Sequence, residues 1–166
     1  QSGTEAYHAL APMVYDLEEG RHALSVVARD LVLSNTEWTL IDGNDFVIQW
    51  TEAGTSPVRS EVFMRLTIDQ HGTTPISMYC SFEDDGSASI PTAVIDALID
   101  SGVSGFPNGS LRRQTADRVD VTGGCVDLEV STPREVDVRV AGHTPCTGPG
   151  QCPSGQMCDL ATETCK

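Results

Sequence analysis

The chain of 166 residues is long enough for one domain with its own core plus a small appendage. Its 24 acidic residues outnumber its 10 basic residues and give a formal net charge of −14. Such a surface repels phosphate backbones and anionic lipids, which argues against nucleic-acid binding and against a polybasic membrane attachment. No apolar run approaches the length of about 18 residues that a membrane span needs, so no transmembrane segment is predicted.

The N-terminal third of the chain contains three predicted strands. A run of aliphatic and β-branched residues from Leu24 to Leu33 predicts the first of them. The turn residues from Asp42 to Asp45 then separate two apolar runs, 38–41 and 46–50. Turn chemistry between two apolar runs is typical of a β-hairpin, so we expect these two runs to pair with each other.

The clearest strand spans residues 61–69, where nearly every second residue is apolar. Its apolar face consists of Val62, Met64, Leu66 and Ile68. This alternation is typical of a half-buried antiparallel strand, and Phe63 is the exception because it falls on the polar face. The same pattern recurs from Ile76 to Phe82, and a short strand is expected at 88–90.

Residues 91–101 change to a helical period. Pro91 lies near the first turn of this segment and Gly102 follows its last turn, as is typical of helix ends. The residues that share one helical face are Val94, Ile95, Leu98 and Ile99. Three more extended segments are predicted beyond the helix, at 110–114, 125–131 and 135–140.

These elements predict a mainly β fold, specifically an antiparallel, Ig-like β-sandwich with one short helix over residues 1–141. A small closed barrel would produce a similar pattern and is the alternative. Residues 142–145 link this domain to a cysteine-rich module, and we place the module at 142–166.

The C-terminal module contains four cysteines, separated by five, five and six residues. They are Cys146, Cys152, Cys158 and Cys165. A segment this short cannot bury enough apolar surface to fold alone, so a covalent or metallic crosslink is needed. Structural zinc sites favour cysteine pairs two to four residues apart, which favours two disulfides and an oxidising compartment. Of the three possible pairings we favour the interlaced one, Cys146–Cys158 with Cys152–Cys165, while the sequential pairing stays open.

The two remaining cysteines, Cys80 and Cys125, suggest a third disulfide within the sandwich. Cys80 is in phase with apolar neighbours, whereas Cys125 is in phase with Asp127 and Glu129, so regular alternation would direct them to different faces. A bulge at Gly123 and Gly124 would redirect Cys125. We predict the bridge, with two free thiols as the alternative.

Two parts of the chain resemble proteins of one known group. The spacing from Cys152 to Cys165 resembles the short cysteine-rich repeats of exported proteins and lipoproteins in myxobacteria and their relatives. The segments 46–50, 76–80 and 84–91 resemble a sandwich domain found in such proteins. The resemblance implies an extracellular or outer-surface protein. It implies no catalytic residues.

Few residues suggest chemistry. Two acidic turns offer oxygen ligands of the kind calcium prefers, with solvated turns as the alternative. The candidate calcium ligands are Asp42, Asn44, Asp45, Asp84 and Asp85. Trp38, Trp50 and Tyr79 are candidates for a sugar-binding aromatic platform; Trp38 is the ring expected to be exposed, whereas Trp50 is expected in the core. The four histidines, at 8, 22, 71 and 143, form no nucleophile or metalloprotease motif.

The sequence therefore predicts a non-enzymatic protein, exported to the cell surface or beyond, with its leader removed before Gln1. It would act in binding, adhesion or assembly, with a protein or carbohydrate partner and contact loops near 42–45, 53–59 and 83–87. Beyond the calcium candidate no cofactor is expected, and a lipid anchor and the oligomeric state stay open. The alternatives are a calcium-assisted carbohydrate-binding module and a protease inhibitor that presents residues 149–151 or 153–156.

Overall fold

The computed structural model describes residues 31–52, 59–69, 76–121 and 123–166, together with the backbone of four short strands between residues 8 and 28. The protein is mainly β, and its described residues include one short helix. The predicted fold class is confirmed at this level. Residues 53–58 of the predicted contact loop at 53–59, and residues 25–26 and 29–30 of the predicted strand at 24–33, lie outside the described residues.

The four N-terminal strands are β1 (His8–Ala9), β2 (Met13–Leu17), β3 (Gly20–Leu24) and β4 (Val27–Ala28). They form two antiparallel pairs, β1 with β4 and β2 with β3. The elements of the main body are, in chain order, β5 (Glu37–Leu40), β6 (Phe46–Gln49), β7 (Arg59–Asp69), β8 (Ile76–Glu83), β9 (Ser87–Ile90), α1 (Thr92–Asp100), β10 (Asn108–Val121) and β11 (Gly124–Val140). The C-terminal module contains β12 (Cys158–Asp159) and β13 (Thr164–Cys165).

A five-stranded sheet in the order β5-β11-β10-β7-β8 forms the centre of the body. Neighbouring strands within this sheet run antiparallel, except for β5 and β11, which run parallel. The expectation of a wholly antiparallel sheet is therefore wrong at this pair. Most of the body lies between these two strands in sequence, so no tight turn forces them to run in opposite directions.

The predicted hairpin between the runs at 38–41 and 46–50 is wrong. A turn does form, since the Asn44 amide donates to the Ile41 carbonyl at 3.2 Å. However, β6 pairs with β9 in a separate two-stranded sheet and β5 belongs to the five-stranded sheet. Side-chain packing connects the two strands instead, with the rings of Trp38 and Phe46 5.5 Å apart at an interplanar angle of 65°.

The inward face of the five-stranded sheet shares one hydrophobic core with β6, β9 and α1. The predicted apolar face of β7 is confirmed, because Val62, Met64, Leu66 and Ile68 are all buried. The strands β6 and β9 and the helix α1 contribute Phe46, Ile48, Ile90, Ile95 and Leu98 to this core. Apolar area removed from water in this way is the main favourable contribution to folding.

The predicted helix is confirmed as α1. Ile95 and Leu98 are buried as expected, but Val94 is 44% exposed and does not belong to the apolar face. The N-terminus of α1 follows Pro91, which offers no capping side chain. Asp45, in the turn directly before β6, caps the helix instead. Its Oδ1 accepts hydrogen bonds from the Thr92 amide at 2.7 Å and from the Thr92 hydroxyl at 2.6 Å.

Strands β10 and β11 form one long hairpin where the sequence predicted three short segments. Their register runs without interruption from Asn108 opposite Asp137 to Val121 opposite Gly124. Pro133 does not break β11, because β5 pairs with β11 only from Asp137 onward and leaves the other edge at Pro133 without a ladder partner among the described strands. Beyond Arg59, the first residue of β7, the hairpin continues as a two-stranded arm. Strand β3 contacts β10, and β4 contacts β11.

The C-terminal module has the interlaced disulfides that the spacing favoured. Cys146 is bonded to Cys158 and Cys152 to Cys165, with Cα–Cα distances of 5.9 and 5.5 Å. The module contacts the body through the Gly105 amide, which donates to the Thr162 carbonyl at 2.8 Å. The predicted domain division after residue 141 stays a prediction.

The third predicted disulfide is absent, because Cys80 and Cys125 are both free thiols. The register explains the error. Across the sheet, Cys80 is opposite Met64, Met64 is opposite Leu111, and Leu111 is opposite Arg134, so Cys80 and Arg134 share one row. Cys125 lies nine residues before Arg134 in β11. At about 3.4 Å per residue, it is about 30 Å from the row that contains Cys80.

Candidate functional site

The outward face of the five-stranded sheet is the most distinctive surface of the described chain. Its side chains alternate with those of the core, and most of them are exposed or half-exposed. We call its central part, on β8, β7 and β10, the open face. It comprises Tyr79, Ser81 and Glu83 from β8, Glu61, Phe63 and Arg65 from β7, and Ser110, Arg112 and Gln114 from β10.

The strand register arranges the open face in three rows. The first row runs from Tyr79 through Arg65 to Ser110. The second row contains Ser81, Phe63 and Arg112. The third row contains Glu83, Glu61 and Gln114. Aromatic and cationic side chains therefore occupy the first two rows, and the two carboxylates lie opposite each other at one end.

Each arginine of the open face lies over an aromatic ring. The Arg112 guanidinium carbon is 4.9 Å from the centroid of the Phe63 ring, and that of Arg65 is 6.0 Å from the centroid of Tyr79. Both distances fall within the range of a cation–π interaction. Tyr79 itself is 71% exposed, so one side of its ring is available to solvent.

These two arginines differ from three other described arginines, each of which has a carboxylate partner. Arg113 is paired with Asp84, Arg118 with Asp120, and Arg139 with Glu37. Arg134 donates from its Nε to the Leu31 carbonyl at 3.2 Å. No carboxylate of the described residues lies within ion-pair distance of Arg65 or Arg112, and both side chains belong to exposed residues. Both residues are thus exposed cations in a chain whose net charge is −14.

A hollow of about 500 Å³ adjoins the carboxylate end of the open face. Its lining residues are Ser60, Glu61, Ser81, Phe82 and Glu83. Glu61 and Glu83 face each other across β7 and β8, so carboxylate oxygens and hydroxyl groups surround this hollow. The arrangement suits a ligand that carries hydrogen-bond donors.

The predicted calcium ligands do not come together. Asp42, Asn44 and Asp45 precede β6 and adjoin the helix, whereas Asp84 and Asp85 precede β9 at the opposite end of the β6–β9 pair. Among the described residues, only Cys146, Cys152 and Cys158 place three potential ligand atoms within 4.8 Å, and all three are disulfide-bonded. Calcium binding at either turn stays a prediction.

Hydrogen bonds to two carboxylates, Asp45 of the turn and Asp96 of the helix, hold the turn at 42–45 against α1. The Gly43 amide donates to Asp96 Oδ1 at 2.8 Å. A hydrogen bond shared with the Asp96 carboxyl, together with the charge of Asp96, raises the pKa of Asp42. The pKa of Asp45 is lowered, because the hydroxyl and the amide of Thr92 both donate to its carboxylate. Asp45 therefore acts as a helix cap in this structure.

Asp84 is wrong as an accessible calcium ligand, because its side chain is only 3% exposed. Arg113 binds it with two hydrogen bonds, Nε to Oδ2 at 2.7 Å and Nη2 to Oδ1 at 2.9 Å. Trp50 Nε1 donates to Oδ1 at 2.9 Å, and the Ser60 hydroxyl donates to Oδ2 at 2.6 Å. Arg113 also donates to the Thr51 carbonyl. The group is a buried ion pair in which the Asp84 carboxylate accepts four hydrogen bonds.

Trp38 is also wrong as an exposed aromatic ring. It is only 4% exposed and packs in the core beside Phe46. Trp50 is 4% exposed, which confirms its predicted core position. The exposed aromatic ring of the open face is instead Tyr79. The sequence did carry one signal for this surface, namely the apolar Phe63 on the polar side of an otherwise regular strand.

The two candidate inhibitor loops are closed by their own hydrogen bonds. Gln151 Oε1 accepts from the Thr147 amide at 2.6 Å, so its side chain folds back into its loop. The second loop is a tight turn, with the Gln156 amide donating to the Pro153 carbonyl at 3.0 Å. His143 is likewise structural, since its Nε2 donates to the Gly105 carbonyl at 2.8 Å. His8, His22 and His71 have no described side chains.

A second hollow, of about 590 Å³, lies where the sheet meets the C-terminal module. Phe106, Pro107 and Pro145 give it an apolar lining. The arginine at its border, Arg139, is held by Glu37 at 3.1 Å, so it presents no unpaired cation.

Comparisons with protein-family models, with curated proteins and with solved structures found no match. None of the helices in the described part of the chain is long and apolar enough to cross a membrane.

Proposed function

We propose that this chain is a non-catalytic binding protein of the cell surface or extracellular space, acting in adhesion or assembly, and that the open face is its recognition surface. The observation that carries the proposal is the pair of exposed arginines on aromatic rings, Arg65 with Tyr79 and Arg112 with Phe63. Tyrosine and arginine are, with tryptophan, the residue types enriched at binding hot spots.

The rigidity of the sheet supports this assignment. The side chains of the open face are carried by three hydrogen-bonded strands, and the opposite side of those strands is packed in the core. A rigid support lowers the conformational entropy that binding would otherwise cost. Recognition would then occur on the sheet and not on the loops at 42–45, 53–59 and 83–87 favoured by the sequence.

We propose that the protein is exported, because it has two disulfides and such bonds persist in oxidising compartments. It also agrees with the resemblance to exported and lipoprotein-type proteins. For the architecture we propose an Ig-like sandwich, with the core between the five-stranded sheet and the β6–β9 layer as its support. A cysteine-rich unit would begin at residue 142.

The two alternatives differ in what supports them. The protease-inhibitor alternative is weakened by the closed loops at 147–151 and 153–156, which do not present an extended segment. A calcium-assisted carbohydrate module would now have to use Asp42, Asn44 and Asp45, or Asp85, without the buried Asp84. Neither alternative uses the unpaired arginines.

The test is retention of the purified, fluorescently labelled chain on intact cells of the producing organism. We expect Tyr79→Ala and Phe63→Ala to lower the retained fraction severalfold relative to the wild type. Val47→Ala, at a 58% exposed position of β6 in the other layer, is the matched control and should be retained like the wild type. Thermal unfolding of each variant shows that it is folded. Equal retention of all four proteins would exclude the open face as the recognition surface.

A further inference from the structure

Resting on that proposed function, we propose that the open face binds an acidic polysaccharide whose sugar rings carry carboxylate groups. Three features of the face carry this inference: two guanidinium groups without a carboxylate partner among the described residues, an exposed tyrosine ring, and a pair of carboxylates at one end. Each feature suits a different part of a uronic-acid residue.

The guanidinium groups would bind the carboxylate. Arg65 and Arg112 lie on adjacent strands in consecutive rows, and such diagonal neighbours are about 7–8 Å apart. Stacking on a ring occupies the flat side of a guanidinium and leaves the N–H groups at its edge free. Those edges match the two oxygens of a carboxylate and bind it with paired hydrogen bonds.

The tyrosine ring would bind the sugar itself. Tyr79 is in the same row as Arg65 and is 71% exposed. An aromatic ring presents a flat apolar surface that packs against the C–H face of a pyranose, while the phenolic hydroxyl at its rim reaches the sugar hydroxyls. The neighbouring Ser81 and Ser110 add hydroxyl groups on either side.

The carboxylates favour a sugar over an acidic peptide. Glu61 and Glu83 end the open face one row from Arg112 and line the hollow of about 500 Å³. A carboxylate accepts hydrogen bonds, and sugar hydroxyls donate them. The side chains of an acidic peptide offer only further carboxylates at this position, which Glu61 and Glu83 would repel.

The charge balance of the chain sharpens the inference. With a net charge of −14, the chain as a whole repels a polyanion. Binding of a polyuronate would therefore depend on the local cationic pair and not on the general field of the protein. A variant that lowers the net charge elsewhere by the same amount thus separates the two effects.

The experiment measures binding of the full chain to polygalacturonate, alginate and hyaluronate by affinity electrophoresis and titration calorimetry. Polygalacturonate with its carboxylates methyl-esterified is the matched ligand control, and poly-glutamate tests the peptide alternative. The site variant is Arg65→Gln/Arg112→Gln. Its charge-matched control is Arg118→Gln/Arg139→Gln, which removes two ion-paired arginines from the outward side of the same sheet.

We expect at least one polyuronate to bind, the esterified polymer to bind at least about tenfold more weakly, and the site variant to lose at least about tenfold in affinity. The charge-matched control should lose much less, and added salt should weaken binding. Tyr79→Ala, which changes no charge, should also weaken it.

Absence of binding to all three polyuronates would overturn the ligand assignment. So would equal binding of the esterified polymer, equal losses in the two double variants, or binding of poly-glutamate alone. If cell retention still depends on Tyr79 and Phe63 in any of these cases, the proposed function stands and only the ligand class is wrong. If retention does not depend on them, the recognition surface itself is wrong.

Discussion

Arg112 and Arg113 are consecutive residues of β10, yet they lie in opposite environments. Arg113 points into the core, where its side chain is 2% exposed and is bound to Asp84 and the Thr51 carbonyl. Arg112 points outward, lies over Phe63 and has no described carboxylate in ion-pair range. The difference follows from the two-residue period of a strand, which places neighbouring side chains on opposite faces.

This pair of residues shows how the two faces use charge. On the inward face a charge is tolerated because each oxygen of the Asp84 carboxylate accepts two hydrogen bonds. On the outward face water solvates the charge, so no internal partner is required. A guanidinium without a partner is then available to a ligand, and that is the basis of the recognition surface proposed above.

The largest expected effect is the loss of the buried pair. Arg113→Met leaves Asp84 charged and without its main partner in the core, so we expect the free energy of unfolding to fall by about 3–5 kcal/mol. Arg112→Met should change it by less than about 0.5 kcal/mol, because the side chain is exposed. Equilibrium unfolding in urea measures both.

A double variant identifies the cause of that loss. Asp84→Asn/Arg113→Met removes both charges while retaining an amide oxygen that accepts from Trp50 Nε1. We expect the double variant to be more stable than Arg113→Met alone. If the double variant is as unstable as Arg113→Met or less stable, lost packing explains the effect, and the unpaired buried charge of Asp84 does not.

A smaller effect is expected at Gly109, which lies on the same inward face of β10 as Arg113, four residues before it. A Cβ at this glycine would lie 3.0 Å from Leu66 Cδ2, 3.0 Å from Val136 Cγ2 and 3.1 Å from Trp38 Cζ3. Gly109→Ala therefore overpacks the core, and we expect a loss of about 1–3 kcal/mol in unfolding free energy. The control is Gly124→Ala, since no heavy atom lies within 4 Å of a Cβ there. Equal stability of the two variants would show that the core at Trp38 is loosely packed.

Gly109 also explains why Trp38 was predicted wrongly. The indole is buried because β11 places Val138 opposite Trp38 and the absence of a side chain at Gly109 leaves room for its ring. The residues responsible lie about 70–100 positions further along the chain. No pattern around Trp38 itself reports them, so its burial depends on tertiary pairing and not on local sequence.

The features that were predicted correctly depend on local patterns. The alternation at 61–69, the helical period at 92–100 and the cysteine spacing after residue 146 each lie within a few turns of chain. The errors concern long-range register: the assumed β5–β6 hairpin and the bridge between Cys80 and Cys125. The open face lies between these cases, since alternation assigned Phe63 and Arg65 to one side but could not place Tyr79 or Arg112 beside them.

The smallest effect expected is a pH dependence that belongs to the inward face. Burial by itself raises the pKa of Asp84, but hydrogen bonds from Arg113 and Ser60 and the charge of Arg113 outweigh it, so the pKa lies below the ordinary value of 3.8. A carboxyl whose pKa is lowered by folding stabilises the folded state above its unfolded pKa, and this contribution is lost as the pH falls through the folded pKa.

The unfolding free energy of the wild type should therefore fall as the pH decreases below about 4, the region in which the unfolded carboxyl takes up its proton. Asp84→Asn cannot take up that proton, so the difference in stability between the wild type and this variant should narrow between about pH 5 and pH 2. Urea unfolding at a series of pH values measures the difference directly. A constant difference over this range would mean that the Asp84 carboxylate gains nothing from Arg113, and the contrast between the two faces of β10 would then concern packing and not charge.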